Sequence, residues 1–331
     1  MSVRLTHLMT DGAFELPEDG DIAIFGARDV ADLAALPKGR LKIICQVKPE
    51  FDTFVAAGFE VVEHAPTGVD VSVVFLPRAK KEARAMLGQA MKRSARVIVD
   101  GQKTDGIDSI LREMRKRAAC DAPYAKAHGK IFVATRRAGD DQFEDWRRGG
   151  EAQKTPDGFV TVAGVFSADG IDPGSRLLAG GLPADLKGRV ADFGAGWGYL
   201  AREILRRESV RHLDLVEADN TALDCARVNI KDQRAVFHWA DATTWRPEKP
   251  LDVVVMNPPF HEGRKGAPAL GQRFIHNAAA CLAPGGRLFM VANRHLPYEA
   301  DLRAAFREVK EIGGDNRFKI FVASRPSRPR R

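Results

Sequence analysis

Nowhere does the 331-residue chain carry the run of about 18 apolar residues that a membrane-crossing helix needs. Its first residues, Met1-Ser2-Val3-Arg4-Leu5-Thr6-His7, lack the hydrophobic core of a secretory signal. These two absences predict a cytoplasmic protein with no membrane partner. The four cysteines, Cys45, Cys120, Cys225 and Cys281, form no CxxC pair, and the eight histidines do not cluster at metal-ligand spacing. Reduced core thiols are expected, with no disulfide framework and no metal site. Low-complexity tracts are also missing, which excludes a largely disordered chain. What remains is ordinary globular composition, 44% hydrophobic and 29% charged, long enough for about two domains. A net charge of +7 points to a polyanionic partner. Residues 317–331 carry six cations, Arg317, Lys319, Arg325, Arg328, Arg330 and Arg331, and no acid.

The second half alternates short apolar runs with helical periodicity, the order expected of a parallel, doubly wound sheet. Strands are expected at 189–194, 212–217, 234–239, 251–256, 286–292, 306–312 and 317–323. Helices are expected at 198–208, 219–231, 271–283 and 297–306, with Ala283-Pro284-Gly285-Gly286 as a helix stop and turn. The first half repeats this plan. Residues 21–27 match 189–195, 70–77 match 252–259, and 130–135 match 319–324, in the same order. Two tandem Rossmann-like α/β domains are therefore expected, the first degenerate, because Ile24, Arg28 and Phe75 stand where the second has Asp192, Gly196 and Asn257. The first copy keeps a basic stretch, Arg78, Lys80, Lys81, Arg84, Lys92, Arg93 and Arg96, against the single acid Glu82. We read it as RNA-contacting, since phosphate contacts supply most non-specific affinity; a solvated helix face is the plainer alternative. The expected layout is a degenerate domain over 1–145, a glycine-rich linker over 146–158, a catalytic domain over 159–324 and a basic tail over 325–331.

Two motifs carry chemistry. The strand at 251–256 runs into Asn257-Pro258-Pro259-Phe260. Consecutive prolines have fixed φ and no N–H, so they hold a rigid extended corner with outward carbonyls. The Asn257 oxygen and a proline carbonyl can accept both hydrogens of a planar NH2, and Phe260 offers a stacking ring. The second motif is Asp192-Phe193-Gly194-Ala195-Gly196-Trp197-Gly198. Its third glycine comes one residue early for a dinucleotide loop, and Asp192 would repel a pyrophosphate. A carboxylate there suits a ligand with a cationic amino-acid group, which points to S-adenosylmethionine. Glu217 ends the next strand, where it can accept hydrogen bonds from ribose hydroxyls, and Asp241 follows the third, within reach of an adenine amine.

These residues resemble the class I S-adenosylmethionine-dependent methyltransferases that act on exocyclic or amide nitrogens. The chain is more closely similar to the bacterial ribosomal-RNA guanine-N2 methyltransferases, in particular the tandem-domain small-subunit (16S) form. Residues 164–172, 257–263, 291–298 and 317–319 carry the match. The resemblance implies that Asp192, Gly194, Ala195, Gly196 and Gly198 form the cofactor loop, Glu217 with Ala218 the ribose clamp, and Asp241 with Ala242 the adenine contact. It implies that Asn257, Pro258, Pro259 and Phe260 hold an unpaired or flipped guanine, whose N2 attacks the sulfonium methyl in line. Arg78, Lys80, Lys81, Arg84, Arg317 and Lys319 are the expected RNA contacts, with ribosomal RNA or the small subunit as partner. A large-subunit (23S) guanine, an adenine N6 or glutamine N5 target, and a non-catalytic RNA-binding assembly factor stay open as alternatives. The roles of Trp197 and His261 stay open too.

Overall fold

The computed structural model describes residues 2–12, 14–259, 261–262, 265–266 and 268–327, with the side chains of 261, 262, 265, 266 and 268 excepted. Phe260, the side chain of His261 and the tail cations Arg328, Arg330 and Arg331 lie outside the described residues. The chain divides into two units, one of residues 1–152 with 162–164, the other of residues 153–161 with 165–331.

In the first unit, α1 (Val3–Thr10) precedes β1 (Ile22–Phe25), β2 (Leu41–Ile44), α2 (Lys48–Ala56), β3 (Glu60–Val62), β4 (Val71–Phe75), α3 (Lys80–Arg93) and β5 (Arg96–Gln102). Then come α4 (Ile107–Arg117), β6 (Ala118–Cys120), β7 (Tyr124–Lys126), β8 (Gly129–Arg136) and α5 (Glu144–Arg148). The sheet order is β3-β2-β1-β4-β5-β8-β6, with β7 also pairing β8. Strands β3 to β5 in that order are parallel and β8 runs antiparallel. The apolar runs Ile22–Phe25 and Val71–Val74 are buried throughout, as parallel strands covered on both faces must be.

The second unit begins with a hairpin of β9 (Gln153–Lys154) and β10 (Val160–Thr161), followed by α6 (Pro173–Gly181). Next are β11 (Gly188–Phe193), α7 (Tyr199–Leu205), β12 (Val210–Glu217), α8 (Asn220–Asn229), β13 (Ala235–Trp239) and β14 (Leu251–Met256). A short pair, β15 (His261–Glu262) and β16 (Lys265–Gly266), leads to α9 (Pro268–Cys281), β17 (Leu282–Asn293), α10 (Glu299–Ala305), β18 (Phe306–Gly314) and β19 (Phe318–Pro326). Its sheet order is β13-β12-β11-β14-β17-β19-β18, with β19 antiparallel, the same plan as the first sheet. The three matched segments therefore occupy equivalent strands, β1 with β11, β4 with β14 and β8 with β19. Register fixes the equivalence to the residue: Phe25 pairs Val74, and Phe193 pairs Met256, so Phe75 stands in the place of Asn257.

Three expectations need correction. Residues 146–158, read as a linker from their glycines, do hold the boundary between the units, at 152/153, but much of the segment is structured: α5 buries Trp146 to 4% exposure against Phe143, and 153–158 belong to the β9–β10 hairpin. Segment 283–286 is no turn, because β17 starts at Leu282 and absorbs the Pro-Gly-Gly as a register shift against β14. The tail is attached through residue 327, since Arg325 pairs with Glu308 at 3.0 Å and the Ser327 amide donates to the Ala305 carbonyl. Among the described residues no helix is long and apolar enough to cross a membrane.

Candidate active site

Strand β11 has β12 on one side and β14 on the other, and ligands of open α/β sheets bind at the carboxyl ends of strands at such a switch point. The sequence places its polar groups there. Asp192 is fully buried, and neither carboxylate oxygen makes a hydrogen bond of normal geometry. Burial, and then the charge of Glu217, push it up to about 8 against a weaker opposing pull from the Ala201 amide. Glu217, half-buried at the end of β12, accepts from the Gly196 amide at 2.7 Å and from the Asp219 amide at 2.9 Å. Burial pushes Glu217 up to about 7, with those amides opposing. Each Glu217 oxygen keeps acceptor capacity for a further donor. The loop needs glycine at two places for different reasons. Gly196 sits at φ +53° in open space, a conformation that side chains disfavour. At Gly198, φ +91°, a Cβ would also come within 3.1 Å of the Ile230 side chain, so the end of α8 would have to give by a few tenths of an ångström.

The next strand supplies a pinned turn. Asp241 Oδ1 accepts from the Thr243 amide at 2.8 Å, and the Ala242 carbonyl accepts from Asn277 Nδ2 at 2.7 Å. Ala218 offers its carbonyl to the Trp239 indole at 2.8 Å. At the end of β14, Asn257 Nδ2 donates to Asp172 Oδ2 at 2.9 Å and to Ser175 Oγ at 2.8 Å. Pro258 is buried and Pro259 exposed. Asp192, Glu217, Asp241 and Asn257 thus share one edge of four adjacent strands.

Trp197 is a packing residue. It is 4% exposed, donates its indole N–H to the Phe166 carbonyl at 2.9 Å and packs on Phe159 with ring centroids 4.7 Å apart. Sequence reasoning passed over Asp172, Ser175 and Asn277. Asp172-Pro173 is a helix-start signature, and Asp172 caps α6 by accepting from the Ser175 amide at 2.8 Å; nothing local reveals its second role at Asn257. The proposed RNA contacts divide. Lys80 and Arg84 both pair with Glu113 of α4, at 2.7 and 3.0 Å, an acid that lies outside the stretch 78–96. Lys319 pairs with Glu299 and its side chain is only 12% exposed, so its charge is neutralised inside the fold. Arg317 lies with Asn293, Arg294, His295, Asn316 and Phe318 around a cleft of about 510 Å³.

A parallel sheet with a reversed next-to-last strand, an acid before a glycine loop on its first strand and an acid closing its second define the class I methyltransferase fold. Residues 157–322 match the methyltransferase small domain family. Ribosomal RNA small subunit methyltransferase C of Shewanella piezotolerans is 31% identical over 263 residues, 76% of each chain. The protein of that name from Shewanella sediminis is 28% identical over 265 residues with the same coverage. The solved structure of the T. thermophilus 16S rRNA N2 G1207 methyltransferase, in complex with AdoMet and guanosine, matches with a TM-score of 0.76 at 23% identity. It covers 97% of this chain and 91% of that one, and shares the fold. The chain belongs to the methyltransferase small domain family and, within it, to the ribosomal RNA small subunit methyltransferase C group.

Proposed function

We propose that this chain transfers a methyl group from S-adenosylmethionine to the exocyclic N2 of a guanine in 16S ribosomal RNA. The observation that carries the reading is the juxtaposition of an unpartnered buried carboxylate, Asp192, with the Asn257 amide at the ends of neighbouring strands. A buried acid without a partner is costly, and the cationic amino group of the donor fits it. Glu217 fits the ribose hydroxyls, and Asp241 with Ala242 the adenine edge. When bound, the donor supplies an electrophilic methyl on a positively charged sulfur. The protein's own part is positioning. The guanine N2 lone pair is delocalised into the ring, so Asn257 Oδ1 and the Pro258 carbonyl hold the two amine hydrogens and turn that lone pair towards the methyl. A stacked or paired base cannot enter the corner, so the target is unpaired or flipped, with Phe260 as its stacking partner.

The target comes from the relatives: those named above carry the small-subunit RNA in their names, and the T. thermophilus protein is named for a guanine N2. Arg78, Lys81 and Arg317 are assigned to RNA contact, the first two on the degenerate unit, and an rRNA substrate supports a cytoplasmic location. Incubating the chain with labelled donor and either 16S RNA or small subunits, then mapping nucleosides by mass spectrometry, tests the reading. N2-methylguanosine is expected in one of the two substrates; its absence from both overturns the assignment.

A further inference from the structure

An asparagine amide presents an acceptor on one side and two donors on the other, and only the acceptor side can hold an amine. Which way Asn257 faces is therefore decisive, and its partners decide it. Asp172 Oδ2 lies 2.9 Å from Asn257 Nδ2. An ionised carboxylate has no donor, so it accepts only the NH2 side and repels the oxygen. Ser175 Oγ takes the second hydrogen at 2.8 Å. Among the described residues nothing donates to Asn257 Oδ1. Both partners are largely withdrawn from solvent: Ser175 is 8% exposed and Asp172 is half-buried. Both are fixed by the start of α6, where Pro173 presets the first turn and Asp172 Oδ2 also accepts from the Ser175 amide at 2.8 Å.

We propose that Asp172 and Ser175 are positioning residues that lock the Asn257 amide with its oxygen towards the substrate amine, and that the Asp172 charge polarises that oxygen. The proposal rests on the methyl-transfer reading above. Hydrogen bonds in a chain strengthen one another, so a carboxylate behind the NH2 makes the carbonyl in front a stronger acceptor as the attacked nitrogen gains positive charge. No atom is transferred along this chain; Asp172 and Ser175 act only through Asn257.

Three variants separate the roles. Asp172→Ser keeps a helix cap but is too short to reach Asn257. Asp172→Asn keeps an oxygen where Oδ2 stands, and with it both hydrogen bonds, while removing the charge. Ser175→Ala removes half of the lock. With saturating RNA and donor, kcat is expected to fall about three- to tenfold in Ser175→Ala, the scale of one net hydrogen bond, and further in Asp172→Ser. Asp172→Asn is expected to restore the part of kcat that comes from holding the amide and to stay below wild type by the part that comes from the charge, and full recovery to wild type overturns the polarising role. Donor affinity by calorimetry and the melting temperature should stay near wild type throughout. Retention of kcat within twofold in the Asp172→Ser/Ser175→Ala double variant overturns the proposal, as does a fall in kcat matched by an equal fall in donor affinity. If the wild type methylates adenine or glutamine instead of guanine, the same comparison is made on that substrate and the lock stands or falls separately from the target. A wild type with no methyl transfer overturns both.

Discussion

Replacing Asp192 with asparagine is expected to stabilise the donor-free protein at neutral pH and to abolish donor binding. In the unfolded chain this carboxyl titrates near 3.8, whereas in the fold it is pushed up to about 8. Between those values the folded state holds a proton that the unfolded state has released, so stability falls as pH rises through that window and levels off above it. At about 1.36 kcal/mol per pH unit, the ceiling on this destabilisation at pH 7 is about 4 kcal/mol. Water entry and local relaxation reduce it, and about 2 kcal/mol is a reasonable working figure. A neutral asparagine of the same shape does not titrate, so the variant should match the wild type near pH 4 and exceed it at pH 7 to 8.5. For a unit of this size the gain corresponds to about 4–8 °C in melting temperature. Thermal melts of the donor-free proteins at pH 4.5, 7 and 8.5 read it directly. Calorimetry in buffers of different ionisation enthalpy should show proton release when the wild type binds donor near pH 7, and no binding by the variant. A variant less stable than wild type at pH 8, or one that binds donor with unchanged affinity, refutes the reasoning.

Asn257→Ala should cut methyl transfer by at least about a hundredfold, the scale of losing a group that acts only in the transition state, and leave donor affinity within a few fold; turnover near wild type would remove the corner from the mechanism. Changing Arg78 and Lys81 together to alanine should weaken RNA binding and flatten the plot of log affinity against log salt by about 0.7–0.9 for each phosphate no longer neutralised. An unchanged slope would take RNA contact away from the first unit. Arg4→Met strands Asp100, which is 2% exposed and paired to the Arg4 guanidinium at 2.5 Å, so it should destabilise that unit by about 3–5 kcal/mol; a melting temperature within a degree or two of wild type would contradict this.

Strand positions were legible because parallel strands buried on both faces read as near-continuous apolar runs, and Val71–Phe75, interrupted only by Ser72, and Leu251–Met256, interrupted only by Asp252, do so. The acids were legible from their place near the strand ends: Asp192 is the next-to-last residue of β11, Glu217 closes β12, and Asp241 stands two residues past β13. Partner choice was not. Glu113 lies on a different helix from the cations it neutralises, Glu299 is 20 residues from Lys319, and Asp172 is 85 residues from Asn257. Local pattern says that Asp172 starts a helix, and it does; only the tertiary placement of the α6 start against Asn257 gives its carboxylate a second partner. Glycines at 149 and 150 suggested a linker, whereas the burial of Trp146 on α3 decided that segment.

The two copies give the same sheet edge opposite treatments. In the first, the places of Asp192, Glu217 and Asn257 are taken by Ile24, Cys45 and Phe75, as the shared register dictates. Ile24 is fully buried and Cys45 is 5% exposed. Leu5 and Leu8 of α1 join the core around Ile24, and Arg4 and Ser2 bind Asp100 beside Phe75. The edge is closed by the chain itself. In the second copy it holds two carboxylates raised in pKa by burial, and folding leaves one of them, Asp192, without a partner. Strand ends with unpartnered polar groups open at lower free energy than a packed core does. Amides at the carboxyl ends of β11 and β12 should therefore exchange with solvent deuterium faster than their counterparts in β1 and β2 in the donor-free protein. Because a ligand stabilises the state that binds it, adding S-adenosylmethionine should slow exchange at β11 and β12 and leave β1 and β2 unchanged. Equal exchange in both copies without donor, or slowing of both with it, would mean that the first edge is not closed in the way its side chains indicate.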